Sequence, residues 1–164
     1  MTDSARPLIA LGSDHAGYPL KARLIEALRT AGYTLHDCGT YGLEPVDYPD
    51  YARSVAELVA AGGARFGVLV CGTGIGVSIA ANRNPKIRCA LVHDTTTARL
   101  GREHNDANVV AFGARTISEE TALDALRVFL DTDFAGGRHT SRVAKLGRVA
   151  KSGCLSVRSQ ERSS

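Results

Sequence analysis

No stretch of this chain stays apolar for the roughly 20 residues that a helix needs to cross a bilayer, so no membrane segment is expected. The opening Met1-Thr-Asp-Ser-Ala-Arg-Pro7 lacks the basic-then-apolar pattern of a secretory signal, so a cytoplasmic protein is expected. None of the four cysteines, Cys38, Cys71, Cys89 and Cys154, forms a C-x-x-C pair. Their spacing suits neither a zinc site nor a disulfide framework, so no metal is expected. The G-x-G-x-x-G fingerprint and the G-K-[ST] ending of a phosphate loop are also missing, which removes the usual nucleotide readings. A basic nucleic-acid-binding body is missing too. From Arg138 onward there are seven Lys/Arg and one Glu, while the rest of the chain carries 13 basic and 16 acidic residues. The excess of positive charge therefore belongs to the C-terminal segment.

What the chain does contain is one domain's worth of alternating elements. Its 164 residues are 44% hydrophobic and 23% charged, ordinary for a soluble globular protein. Pro7–Gly12 reads as a strand, and Leu20, Leu24 and Leu28 mark an amphipathic helix stopped by Gly32. Residues 33–38 alternate as a second strand. Tyr48-Pro-Asp50 opens a second helix that ends at Gly62-Gly63. Phe66–Val70 is a third strand, and Val77–Asn82 a third helix. Residues 86–92 read as a fourth strand and Thr95–Glu103 as a fourth helix, followed by a polar break at His104-Asn-Asp-Ala107. Asn108–Phe112 is a fifth strand, and Ser118 caps a fifth helix with Leu123, Leu126, Phe129 and Leu130 facing inward. Five strand–helix alternations imply an α/β fold, a parallel sheet covered on both faces. Residues 1–146 form its single domain, and residues 147–164 read as a basic, Ser-rich disordered tail.

The chemistry gathers at Val68-Leu-Val-Cys-Gly-Thr-Gly-Ile-Gly76. A strand ends, a glycine loop turns, and a helix begins with free N–H groups that favour negative charge. A cysteine at that point is where a thiolate is stabilised. In parallel sheets ligands bind beyond the strands' carboxyl ends. Asp14 and His15 after the first strand, Cys71–Gly76 after the third and Arg115 after the fifth all fall there. His104 and Asn105 fall nominally at the opposite end, which suggests service to a neighbouring subunit. Arg138 and Arg142, four apart, share one face if they are helical, and two guanidinium groups suit a phosphate or carboxylate. Each feature has a plainer reading: a tight turn, a core thiol, a loop-stabilising pair, a helix-terminal cation, a solvated face. His36, His93 and His139 have no distinctive context and read as structural or solvated. Cys38 and Cys89 read as inert thiols in or near the core.

Six blocks in order, Ser13-Asp-His-Ala-Gly17, Asp47-Tyr-Pro49, Cys71-Gly-Thr-Gly-Ile-Gly76 with Ser78–Asn82, His104-Asn-Asp106, Gly113-Ala-Arg115 and Gly136-Gly-Arg-His139 with Arg142, resemble type B ribose-5-phosphate isomerase. That family also holds galactose- and allose-6-phosphate isomerases. The resemblance implies a Rossmann-like three-layer sandwich with a five-stranded parallel sheet, a homodimer or tetramer with shared active sites, and no cofactor. It implies interconversion of ribose 5-phosphate and ribulose 5-phosphate through an enediolate, a reaction of the pentose phosphate pathway. Carried over by position, Cys71 is the base at C2, Thr73 assists, and His104 of the partner subunit opens the sugar ring. Asp14, His15, Tyr48, Gly72, Thr73, Gly74, Ile75, Gly76, Asn105, Arg115, Arg138 and Arg142 contact the substrate. One branch of the family uses a glutamate just after the loop as the base; here that position is Val77, which places this chain in the cysteine branch. A six-carbon sugar phosphate as substrate, or a non-catalytic phosphate- or nucleotide-binding module, are the alternatives.

Overall fold

A computed structural model describes residues 6–148; the expected tail lies, from residue 149 on, outside the described residues. Five strands run β1 (Leu8–Ser13), β2 (Thr34–Asp37), β3 (Phe66–Cys71), β4 (Cys89–Leu91) and β5 (Val109–Gly113). They form one sheet in the order β2-β1-β3-β5-β4, with every neighbouring pair parallel. Between and after them come α1 (Tyr18–Thr30), α2 (Tyr48–Ala60), α3 (Ile75–Ala81), α4 (Thr95–Asn105), α5 (Glu119–Asp131) and α6 (Thr140–Leu146). The expected three-layer α/β sandwich is what the chain adopts.

Side-chain alternation along the strands builds two cores. Ile9, Leu11, Val68, Val70, Val110 and Phe112 face one way and pack with Leu24 of α1, Ala98 of α4 and Phe129 of α5. Ala10, Leu69, Cys71, Val109 and Ala111 face the other way and pack with Val55 of α2 and Val77 of α3. Period-2 alternation in a sheet buried on both faces requires such a split. Phe129 is wholly buried, a burial that stabilises by about 2–3 kcal/mol. Among the described residues no helix is long and apolar enough to cross a membrane.

Details of the fourth strand, the fourth helix and the last segment differ from the sequence reading. The fourth strand shrinks to Cys89–Leu91 because side-chain amides take over the backbone around it. Asn108 accepts the Arg88 N–H at 2.8 Å, and Asn82 accepts the Cys89 N–H at 2.8 Å while donating to its carbonyl at 3.0 Å. The expected polar break at His104-Asn105 is helical instead. Helix α4 continues to Asn105 and turns only at Asp106, with φ +45°, where Arg88 and Arg102 hold the Asp106 carboxylate at 3.0 and 2.8 Å. Arg138 and Arg142 do not lie on one helix: Arg138 belongs to a 3-10 turn, Gly137–His139, and Arg142 to α6. Gly136 and Gly137 both have positive φ, +63° and +56°, a conformation that glycine adopts without a Cβ clash.

Candidate active site

Strand β1 feeds α1 and then β2 on one side of the sheet, whereas β3 leads to α3 and β4 on the other. The carboxyl ends of β1 and β3 therefore flank the crevice where parallel sheets bind ligands. Ser13 pairs in register with Val70, so Asp14 and Cys71 leave the sheet side by side. The Asp14 N–H donates to the Val70 carbonyl at 3.3 Å. Its carboxylate accepts the Gly17 N–H at 2.9 Å, which holds the loop closed with Asp14 nearly buried. His15 accepts the Val46 N–H at Nδ1, 3.2 Å away. That bond ties the long loop after β2 to the segment that follows β1.

Cys71 closes β3 on the face shared with α3, and only 4% of it is exposed. Gly74 sits at φ +76°, in the left-handed region, and this turn aims its N–H back at the Cys71 sulfur, 3.2 Å away. An N–H directed at sulfur stabilises negative charge there. Thr73 Oγ1 accepts the Ile75 N–H at 3.3 Å, and Thr73 and Ile75 are exposed. Helix α3 begins at Ile75, two residues earlier than the sequence suggests, so Gly76 lies in its first turn.

The loop is walled by close contacts. A Cβ at Gly72 would stand 2.9 Å from an Arg115 guanidinium nitrogen, and one at Gly76 would stand 2.6 Å from the Tyr48 ring. The Arg115 N–H also donates to the Gly72 carbonyl at 2.9 Å. Arg115 and Tyr48 thus wall the loop at Gly72 and Gly76, while Asp14, followed by His15, leaves the sheet beside Cys71.

His104, Asn105, Arg138 and Arg142 do not join them. They occupy the opposite end of the sheet, where α4 stops. Strand β5 runs from Val109, just past that stop, to Gly113 opposite Cys71. Its four residue steps separate the two levels by about 13 Å. Arg102, nearly buried, fixes this pole: it donates to the carbonyls of Thr132 and Ala107 at 3.1 and 2.7 Å and pairs with Asp106. The Ala135 N–H donates to the Glu103 carbonyl at 3.0 Å and lays the following segment along α4. Asn105 borders a cavity of about 380 Å³ that Cys89 and Leu146 also line.

Two features escape the sequence. His139, read there as structural or solvated, stacks on His104 with ring centroids 4.3 Å apart and planes 11° from parallel. Those residues stand 35 positions apart, and only the fold joins them. Its imidazole is held below the ordinary histidine range, first by lost hydration and then by the charges of His104, Arg138 and Arg142. Lys21, wholly buried, pairs with Asp37 and donates to the Thr40 carbonyl at 2.8 Å, anchoring the loop that meets His15. Its signal was present: Lys21, Leu24, Ile25 and Leu28 recur at helical spacing. Cys38 and Cys89, read in the sequence as thiols in or near the core, are both partly covered. Burial raises Cys38, and pushes half-covered Cys89 up to about 12.

A cysteine at the end of β3, under a glycine turn whose Gly74 N–H reaches its sulfur, lies at the switch point of a Rossmann-like sheet, where proteins of this fold class bind their ligands. The family model described as Ribose/Galactose Isomerase matches residues 9–146, and the chain belongs to this family of sugar-phosphate isomerases. It is 44% identical to ribose-5-phosphate isomerase B of Escherichia coli over 141 residues, covering 86% of this chain and 95% of that protein. The crystal structure of a ribose 5-phosphate isomerase from Thermotoga maritima superposes with a TM-score of 0.86 at 45% identity, covering 87% and 99% of the two chains. Ribose 5-phosphate isomerase B from Anaplasma phagocytophilum gives 0.82 at 50% identity, covering 87% and 97%.

Proposed function

We propose that the chain interconverts ribose 5-phosphate and ribulose 5-phosphate, with Cys71 as the base that moves hydrogen between C2 and C1. The observation that carries this reading is the Gly74 N–H pointing at the Cys71 sulfur across 3.2 Å. Deprotonation next to a carbonyl needs a base and an oxyanion site held in fixed geometry. Here one turn supplies both.

The sugar enters as a closed furanose. His104 gives a proton to the ring oxygen as the bond from C1 to that oxygen breaks; the C1 hydroxyl proton leaves to water and an aldehyde forms. Cys71, as thiolate, takes the C2 proton. The electron pair moves into a C1–C2 double bond, and the carbonyl oxygen becomes an enediolate oxygen received by the N–H groups of Gly72–Gly76, with Thr73 assisting. The thiol returns the proton to C1 as the C2 hydroxyl proton passes to the C1 oxygen, which leaves the ketose. Asp14 and His15 orient the sugar hydroxyls and Tyr48 closes the wall. Asn105, Arg115, Arg138 and Arg142 hold the sugar and phosphate, which adds binding energy remote from the reacting carbons.

His104 and Cys71 lie at opposite ends of one chain, so this reading needs a second copy to bring His104, Asn105, Arg138 and Arg142 to the Cys71 loop. Exposed Ile75 and Ile79, 51% and 55% accessible along α3 beside the loop, suit a face that a second copy covers. The test compares turnover on ribose 5-phosphate, allose 6-phosphate and galactose 6-phosphate, together with uptake of solvent deuterium at the migrating position. Highest kcat/KM on the five-carbon sugar with deuterium uptake supports the reading. Preference for a six-carbon phosphate moves the substrate within the family, and binding without exchange leaves a phosphate-binding module.

A further inference from the structure

The His104–His139 stack has a chemical consequence for the reaction proposed above, and the inference rests on that reading of His104. Two parallel imidazoles at 4.3 Å cannot both hold a positive charge without strong mutual repulsion. One of them has a reason to stay neutral. His139 Nε2 stands 3.5 Å from Arg138 Nε, whose N–H points to it. A guanidinium cannot accept, so the imidazole nitrogen must offer a lone pair.

We propose that His139 is a positioning residue: it fixes the plane of the His104 ring and keeps the stacked pair singly protonated, so that the one proton sits on the ring that opens the sugar. The surrounding charges agree. Facing His139 are His104 from α4, Arg138 from its own turn and Arg142 from α6, all basic. The nearby acids of the α4 end are engaged elsewhere, Glu103 by Arg99 at 2.8 Å and Asp106 by Arg88 and Arg102. His139 itself is held below the usual histidine range. The stack also links the ring-opening group to a phosphate-binding one: tilting His139 disturbs His104 through its face and Arg138 through its edge.

The direction of substrate separates this role from a structural one. Ribose 5-phosphate must be opened before C2 can lose its proton. Ribulose 5-phosphate carries its phosphate on the oxygen that would close a furanose, so it presents an open chain, and hydrogen exchange at its C1 needs Cys71 but no ring opening. The experiment compares wild type, His139→Ala and His139→Phe at saturating substrate. It measures conversion of ribose 5-phosphate and, separately, C1 hydrogen exchange of ribulose 5-phosphate in deuterated water.

His139→Ala should lose about ten-fold or more in ribose 5-phosphate conversion, part of what a general acid contributes, while ribulose exchange stays near wild type. His139→Phe, which keeps a flat stacking partner, should recover part of the loss. Nitrogen NMR of the imidazoles should show His139 neutral, with Nε2 unprotonated. Equal loss in both assays, no loss in either, or a His139 that protonates alongside His104 overturns the proposal. Wild-type protein that neither converts ribose 5-phosphate nor exchanges ribulose 5-phosphate overturns the isomerase reading itself and takes this inference with it.

Discussion

Lys21 and Asp37 form an ion pair in which one partner is sealed and the other is not: the Lys21 side chain is 1% exposed and that of Asp37 28%. The asymmetry matters because the pair anchors the loop whose Val46 N–H meets His15. It also predicts unequal consequences. Asp37→Ala leaves a buried ammonium with the Thr40 carbonyl as its one remaining hydrogen-bond partner, beside the Tyr41 and Tyr18 rings at 5.4 and 6.0 Å, a change that costs about 3–5 kcal/mol. Lys21→Met leaves a carboxylate that water reaches and that the Gly39 N–H still serves at 2.9 Å, so the cost is about 1–2 kcal/mol. Urea unfolding at constant m measures both. The reverse order contradicts the assignment.

Two glycines at the site predict a second contrast. A Cβ at Gly113 would fall 2.5 Å from the Thr73 carbonyl group, and one at Gly76 would fall 2.6 Å from the Tyr48 ring. The first obstacle is backbone of the Cys71 loop; the second is a side chain 40% exposed and free to swing away. Gly113→Ala should displace the loop, lose about 1–3 kcal/mol of stability and remove most of kcat. Gly76→Ala should keep its stability and raise KM, and adding Tyr48→Ala should bring the fold no further change. Thermal unfolding and steady-state kinetics on the four proteins distinguish the cases.

Helix α4 carries a pH-dependent start. Asp94 accepts the Thr97 N–H at 2.7 Å, and Thr97 Oγ1 reaches back to the Asp94 N–H at 3.3 Å. The Thr97 N–H foremost, and then the Thr97 hydroxyl donating to the same carboxylate at 2.9 Å, hold the Asp94 carboxyl below the usual carboxylate range. A folded value below the unfolded one gives stability that is fully present above about pH 4 and is lost as pH falls through the folded value. Asp94→Asn should therefore flatten the acid limb of the stability curve and leave its neutral plateau lower. Unfolding midpoints between pH 2 and pH 7 test this, and a parallel acid limb in the variant contradicts it.

The Cys71 loop was legible because a buried β3, a glycine turn and α3 are contiguous, and local chemistry suffices to read them. The strand ends were legible for the same reason: Asp14 and Arg115 each follow an apolar run directly. The face shared by Lys21 with Leu24 and Leu28 was in the periodicity, but a lysine on an apolar stripe reads as solvated until Asp37 is brought from the next strand. His139 could not be read at all, because its partner His104 arrives through the fold of α5 and two left-handed glycines. Strand β4 was overextended because Lys86–Arg88 has the right composition for a strand, while its hydrogen bonds are taken by the side chains of Asn82, Asn84 and Asn108. The helical extension through Asn105 depends in the same way on a distant residue, Arg88, which clamps Asp106.

The central claim is that Cys71 of one chain works with His104 of another. The most direct measurement mixes two inactive variants, Cys71→Ala and His104→Ala, unfolds and refolds them together in equal amounts, and assays ribose 5-phosphate conversion. In a hybrid dimer one shared site carries both defects and the other carries neither, so random assembly should restore about a quarter of wild-type activity. If Cys71 and His104 of the same chain formed one site, no hybrid would contain an intact one, and a mixture as inactive as its two components would contradict the account.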